Sequence, residues 1–357
     1  MYPALAIARA LVRDVPAVQP HFVGARRGIE REVLPTTEFP HTLLDLHPIY
    51  RAAPWRNART VAGLVTGWRA VGRLVADDRP VLVVATGGYA SGATLAFAAA
   101  HRIPFVLQEA NAYPGKTAAL FARWAREIYV GFPEVSAWLP PSARSRVRDV
   151  GNPVDPPPQP LPDRAERRAS WGFEPDVTLV VLAFGGSQGS AALNTLVDGW
   201  VGRGLPDGVG VIWGTGTRHH ARYASREARR VRVVPYLAPI AAAYAAADVA
   251  ITRAGAMTTA ELCAWGVPMY LVPLPTAAGD HQTANARALA ASGAAEWIAE
   301  GQATPDRLDT FVRGMMGDPG TRDRLSAAAL ARARPEAARD IARRLAQMIS
   351  PSGLAGG

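Results

Sequence analysis

The sequence predicts an α/β protein of two doubly wound parallel-sheet domains that face each other across a cleft. Short apolar runs alternate with helical patterns from end to end, the signature of βαβ units. A glycine-rich turn follows an apolar strand once in each half, at Gly87–Gly92 and at Gly185–Ser190. Between the halves, Asn152–Pro162 reads NPVDPPPQPLP. Six prolines in eleven residues continue neither a helix nor a central strand, so this stretch is a linker. A chain of 357 residues is long enough for one domain on each side of it.

In the first half the apolar runs predict strands at His21–Ala25, Thr42–Leu46, Val81–Thr86, Phe105–Gln108 and Ile128–Gly131. Helical spacing predicts Ala58–Ala76, Gly92–Ala100 and Thr117–Ala125 between them. After the linker, strands are expected at Thr178–Phe184, Val209–Trp213, Arg232–Val234, Val249–Thr252 and Pro268–Val272. A final amphipathic region, rich in arginine and alanine, covers about Arg322–Ile349.

Composition narrows the class. Hydrophobic residues make up 49% and charged residues 19%, too apolar a balance for disorder. No uncharged apolar run approaches the roughly 18 residues of a membrane-spanning helix. The opening MYPALAIARALVRD has no basic leader and no small-residue cleavage site, so no signal peptide is read. Cys263 is the one cysteine, which excludes an internal disulfide and a cysteine-based zinc site. A cytoplasmic enzyme is the expectation. The net charge of +9 comes almost wholly from arginine, with Lys116 the one lysine. These arginines are spread along the chain and not clustered with aromatics, so no nucleic-acid partner is expected. A basic surface does suit an anionic membrane face or an anionic substrate.

Both glycine turns put small residues where a strand's carboxyl end meets a helix N-terminus. Free N–H groups and the helix dipole attract an anion there, and missing Cβ atoms let it come close. Neither turn has the dinucleotide or P-loop spacing, and a tight turn that simply needs glycine is the other reading of each. The richest run is Arg253–Gln282, RAGAMTTAELCAWGVPMYLVPLPTAAGDHQ, continuing to Asn285. Thr258 or Thr259 is expected to cap a helix after strand Val249–Thr252. Glu261 then falls in that helix's first turns, where a carboxylate can accept hydrogen bonds from a ribose diol. Asp280 is expected as a second N-cap, with His281, Gln282 and Asn285 sharing a helix face suited to sugar hydroxyls. Taken singly, Glu261 also reads as a dipole-favoured surface acid and His281 as a solvated first-turn residue.

In combination the segments YPALAIA, ATGGYASG, VLQEANAYPG, VGNPV, GGSQGSAALN, ADVAITRAGAMTTAEL and DHQTANA, in this order, resemble the MurG family. Its members transfer N-acetylglucosamine to lipid I in peptidoglycan synthesis. The resemblance implies the GT-B fold of two Rossmann-like domains, with the last helix crossing back to the first. It implies a first domain of residues 1–152 on the acceptor and membrane side, and a linker over 153–162. A UDP-sugar domain follows over 163–335, then the returning helix over 336–350. It further implies inverting transfer from UDP-N-acetylglucosamine to the 4-hydroxyl of the muramyl sugar of lipid I. No cofactor or metal is implied, since the sequence has no Asp-x-Asp motif. Carried over residue by residue, Ser187 contacts the diphosphate, and the Leu237 backbone meets the uracil. Ala256, Met257, Thr258, Thr259, Ala260 and Glu261 line the diphosphate and ribose. Gln282, with His281 and Asn285, binds sugar hydroxyls, and Asn111 reaches the sugar from the other domain. The expected location is the cytoplasmic face of the cell membrane, held peripherally.

The chain departs from the family pattern in four places. The family opens with a strand and a glycine-rich loop ending in histidine just before YPALAIA, where Met1 stands here. A misassigned start or a fragment is therefore expected, with one inner strand and one phosphate or acceptor loop missing, and no catalytic base is assigned. Asp155 stands where an arginine is usual after GNPV, Lys116 where an apolar residue is usual, and Tyr50–Trp55 lacks the expected glycines. Trp55 and Trp68 are either buried or lipid-facing. The alternatives are a GT-B transferase with another lipid acceptor, a UDP-N-acetylglucosamine epimerase, or a UDP-sugar-binding protein without turnover.

Overall fold

The computed structural model describes residues 1–46, 57–88, 90–186 and 188–350. The expectations for Tyr50–Trp55 and Ser187 lie outside the described residues. The chain divides into two compact units, one running from Met1 to Val154 and resuming at Glu336, the other spanning Asp155–Pro335.

In the first unit the elements follow in order: α1 (Tyr2–Asp14), β1 (Phe22–Ala25), α2 (Glu30–Val33), β2 (His41–Leu44), α3 (Asn57–Asp77), β3 (Val83–Ala85), α4 (Ala90–Ala100), β4 (Phe105–Glu109), α5 (Lys116–Phe121), β5 (Ile128–Val130) and β6 (Val147–Asp149). Each expected strand and helix of this half is present within a few residues. The helix expected over Thr117–Ala125 is shorter, and gives way to a 3₁₀ turn at Ala122–Trp124. The strand β6 was not expected, because three residues reading VRD carry no apolar run. Among the described residues the strands form two separate parallel sheets, β1-β2 and β3-β4-β5-β6. A cavity of about 370 Å³ is lined by residues of both edges, among them Phe22 and Val23 from β1 and Val83 and Val84 from β3.

The second unit contains α6 (Arg164–Ala169), β7 (Leu179–Phe184), α7 (Ala191–Val201), β8 (Val209–Gly214), α8 (His220–Tyr223), β9 (Val231–Val234), α9 (Ile240–Ala246), β10 (Val249–Thr252), α10 (Ala256–Ala264), β11 (Met269–Leu271), α11 (His281–Ala291), β12 (Ala295–Trp297), α12 (Pro305–Gly317) and α13 (Pro319–Arg332). Its six strands are all parallel, in the order β12-β11-β10-β7-β8-β9. Counted within the unit, that is the doubly wound order in which the winding reverses between the first and fourth strands, here β7 and β10. Every residue of β7, β8 and β10 is buried, as the centre of a parallel sheet covered on both faces requires. The polar anchor of this core is Asn194 of α7, which accepts from Trp213 Nε1 at 2.9 Å and donates to the Thr215 carbonyl at 2.8 Å.

The single terminal helix expected over Arg322–Ile349 is two helices. Ala333–Glu336 separate α13 from α14 (Ala337–Ile349), and Pro335 within that break has no N–H to continue the ladder. The apolar stripe of α14, Ile341, Ala342 and Leu345, is fully buried with Ile7 and Leu11 of α1 and with Val106 and Tyr129 of the first unit's sheet. No helix among the described residues is long and apolar enough to cross a membrane.

One buried carboxylate fastens α6 to the centre of the second sheet. Asp248, 1% exposed, accepts from the Val180 amide at 2.7 Å and from Arg168 at 2.6 Å, with Arg164 at 3.3 Å. Removing it leaves the Arg168 guanidinium partly buried without its counter-ion. Asp248→Ala is expected to cost about 3–5 kcal/mol of folding free energy. Urea denaturation checks this, and an unshifted midpoint would mean that the network contributes nothing net.

Candidate functional site

In a doubly wound sheet the ligand crevice lies at the carboxyl ends of the strands flanking the reversal, so the segments after β7 and β10 define the candidate site. The turn after β7 needs its glycines. At Gly189 φ is +74°, and a Cβ there would sit 2.3 Å from the Thr215 carbonyl oxygen. The backbone of Gly189 also lies against Gly216 on the loop after β8. This fixes the turn so that Ser190 caps α7, its Oγ accepting from the Leu193 amide at 3.4 Å. The open amides of that helix start form the anion-attracting end.

The turn after β10 is tied to the first by a residue to which the sequence reading gave no role. Arg253 is 8% exposed, and its guanidinium donates to Ser190 Oγ at 2.7 and 3.2 Å. It also donates to the Val272 and Pro273 carbonyls at 3.0 and 3.2 Å, and pairs with Glu300. One planar cation thus holds the segments after β7, β10 and β11 and the turn after β12 in fixed relation. The signal in the sequence was an arginine placed directly after the short strand VAIT, where only a fully paired cation survives burial.

The cap expected at Thr258 or Thr259 is not there. Helix α10 starts earlier, at Ala256, with Gly255 as N-cap. Thr259 lies inside the first turn and is buried, its hydroxyl donating back to the Gly255 and Ala256 carbonyls at 3.0 and 3.2 Å. Ala256 is also buried, whereas Met257, Thr258, Ala260 and Glu261 are partly exposed. Glu261 accepts from the Tyr244 hydroxyl of α9 at 2.6 Å. Burial pushes its carboxyl above the usual carboxylate range; the Tyr244 bond draws it back and the charge of Asp155 pushes it up further. Asp155, in place of the usual arginine, therefore acts on the carboxylate expected to face the ribose.

The group on α11 is divided by depth. Asp280 stands at the N-cap position of α11, as expected, but its side chain makes no capping bond to a helix amide: its backbone is left-handed, with φ 56°, and its carboxylate accepts from Thr283 Oγ1 at 2.6 Å. His281 is partly exposed, with Nδ1 2.6 Å from the Ala278 carbonyl. Gln282 accepts from the Leu274 amide at 3.0 Å, which orients its side chain toward the loop after β11. Asn285 is completely buried and donates to the Ala254 carbonyl at 3.0 Å. It thus supports the turn after β10 from beneath and does not share a surface face with His281. Leu237, on the loop after β9, is buried against Gly214.

In the first unit, described by itself, Asn111 is partly exposed on the loop after β4. The buried carboxylate of Glu109 holds that loop. It accepts from the Asn111 amide at 3.0 Å and its Nδ2 at 3.2 Å through one oxygen, and from the Gly115 amide at 2.8 Å through the other. In the first glycine turn, Gly87 and Gly88 both have positive φ.

Parallel Rossmann-like units, with an anion-attracting helix start and a carboxylate on the neighbouring helix at the switch point, fit a glycosyltransferase of the GT-B class. The comparisons with known proteins agree. The glycosyltransferase family 28 N-terminal domain matches residues 1–130, and the family's C-terminal domain matches 180–345. The UDP-N-acetylglucosamine–N-acetylmuramyl-(pentapeptide) pyrophosphoryl-undecaprenol N-acetylglucosamine transferase of Salinibacter ruber is 38% identical over 356 residues, covering 96% of this chain and 92% of the relative. The enzyme of the same name from Prosthecochloris aestuarii is 34% identical, over 98% of this chain and 96% of its own length. Among solved structures, Acinetobacter baumannii MurG superposes with a TM-score of 0.76 at 26% identity, covering 97% of this chain and 95% of that one. This chain belongs to the MurG family of glycosyltransferases.

The raised Glu261 carboxyl has a stability consequence. The folded chain holds that proton more tightly than the unfolded chain, so Glu261 favours folding below the usual carboxylate range. Its contribution is lost as pH rises through the displaced value. Glu261→Gln is therefore expected to flatten this part of the stability-against-pH curve and to be more stable than the parent at neutral pH. Urea midpoints measured from the carboxylate range to neutrality check it; a parallel offset at all pH values would contradict the burial argument.

Proposed function

We propose that this chain transfers N-acetylglucosamine from UDP-N-acetylglucosamine to the 4-hydroxyl of the muramyl sugar of lipid I, releasing UDP and giving lipid II for peptidoglycan synthesis. The observation that carries the proposal is identity of 33–38% to transferases of that name, over 89–98% of this chain. The alternative of a UDP-N-acetylglucosamine epimerase rests on solved structures such as one at 14% identity, which carry the fold alone.

In the donor-binding reading, the turn after β7 and the start of α7 receive the diphosphate. The Leu237 backbone meets the uracil, and Met257 to Glu261 border the diphosphate and ribose. His281 and Gln282 face the sugar from α11, and Asn111 belongs to the same reading from the first unit. The helix dipole of α7 stabilises the charge that collects on departing UDP, a stabilisation that grows as the bond breaks. Ser190 and Arg253 hold that helix start in place beforehand, so the site is arranged before the substrate arrives.

The acceptor is lipid-linked, and the surface of α3 suits a membrane. Leu64, Val65 and Trp68 are 47%, 47% and 38% exposed on one face, with Arg69 and Arg73 exposed beside them. Apolar and aromatic groups flanked by arginine favour the interface of an anionic bilayer. Trp68 rests edge-on against Phe97 at 5.0 Å, which holds its ring at this surface. Trp55 lies outside the described residues.

Transfer of radiolabel from UDP-N-acetylglucosamine to lipid I tests the activity. Loss of label from the sugar nucleotide only when lipid I is present is expected; isomerisation of the nucleotide sugar without acceptor would indicate an epimerase. Glu261→Ala is expected to raise the donor KM about 10–100-fold, since a charged hydrogen bond is worth about 1.5–3 kcal/mol. An unchanged donor KM removes Glu261 from the site. Gln282→Ala is expected to weaken the preference for N-acetylglucosamine over other UDP-sugars, read from the ratio of their kcat/KM values. Leu64→Asp is expected to lower co-sedimentation with phosphatidylglycerol vesicles, and equal sedimentation of variant and parent would remove α3 from the membrane contact.

A further inference from the structure

The sequence reading assigned no role to Tyr244, and the structure places it behind Glu261. It stands on α9, is 2% exposed, and its ring lies between Phe184 at the end of β7 and Trp265 after α10, with centroids 6.2 and 6.1 Å away. A ring packed in this way is held in place, which directs its hydroxyl. That direction ends on Glu261 Oε2, at 2.6 Å. The bond has the length of a hydroxyl donating to a carboxylate oxygen, the strong class of such bonds. It engages one oxygen of the carboxylate and restricts the rotamers open to the side chain. A glutamate free on the first turns of a helix samples several rotamers, and fixing it in one removes an entropic cost from any ligand that must use it.

We propose that Tyr244 is a positioning residue for the nucleotide's ribose: it holds the Glu261 carboxylate in the rotamer that accepts from a ribose hydroxyl. This rests on the reading of Glu261 as the ribose acceptor. Tyr244 itself does not touch the nucleotide. Removing its hydroxyl should therefore weaken UDP only through the hydroxyl that Glu261 reads.

The test uses the full chain and isothermal titration with UDP and with its 2′-deoxy and 3′-deoxy analogues. Tyr244→Phe keeps the ring between Phe184 and Trp265, and circular dichroism and melting check its folding. It is expected to weaken UDP binding about tenfold and to bind one of the two deoxy analogues as well as the parent chain does. Equal weakening for UDP and both analogues would mean a structural role alone and overturns the proposal, as does unchanged UDP affinity. Should Tyr244→Phe not fold, Tyr244→Met, which also lacks the hydroxyl, carries the same test: loss of the discrimination between UDP and one deoxy analogue is expected, and its persistence would overturn the proposal. Glu261→Gln separates the two layers of the argument. If it loses the discrimination while Tyr244→Phe retains it, the Glu261 reading stands and the role of Tyr244 falls. If Glu261→Gln binds UDP as the parent does, the reading of Glu261 fails and the proposal with it.

Discussion

The parallel pairing of β7 with β10 is the constraint on which the second unit depends. Val181 to Phe184 lie in register with Val249 to Thr252, and the sheet winds in opposite directions from that seam. Two turns that are distant in sequence are thereby brought to one sheet edge with no connection crossing between them. The seam alone does not fix those turns, of which the first holds Gly185, Gly186 and Gly189 and the second Gly255. The buried guanidinium of Arg253 removes that freedom by bonding to Ser190 Oγ on one side and to the carbonyls after β11 on the other. A cation this far from water costs several kcal/mol unless its donors are matched. Glu300, one hydroxyl and two carbonyls match them here. The same geometry that satisfies the charge therefore sets the shape of the crevice.

Periodicity made the sheets legible because parallel strands covered on both faces are continuous apolar runs. The run TLVVLAF and its neighbours had no competing interpretation once the proline linker divided the chain. The short strands β6 and β12 were missed because VRD and AEW carry charged residues that break an apolar run, whereas the equally short β3, β5 and β11 read VVA, IYV and MYL and were legible. The break between α13 and α14 is the converse case: an arginine and alanine pattern ran through Pro335, and the missing amide outweighed the pattern.

The site was legible as a set of segments but not as a set of roles. His281, Gln282 and Asn285 were expected to share a helix face, and the structure sorts them by depth. Asn285 is buried and holds up the Ala254 carbonyl, whereas His281 and Gln282 remain partly exposed. Spacing along a helix tells which side chains share a face, but not whether that face looks outward or toward a neighbouring turn. The same limit hid Arg253 and Tyr244. Their partners are 63 and 17 residues away, and nothing local in the sequence encodes a hydrogen bond across that separation.

Asp155 shows how far one departure from a family pattern can be followed physically. An arginine after GNPV would draw the Glu261 carboxyl down by its opposite charge. The aspartate instead adds negative charge and pushes that carboxyl up, in the same direction as burial. Two influences then disfavour the charged form of the group expected to meet the ribose, and one, the Tyr244 hydroxyl, opposes them. Here burial and the Asp155 charge both push the Glu261 carboxyl up while the Tyr244 hydroxyl draws it down, so the hydrogen bond from 244 offsets part of what the aspartate does.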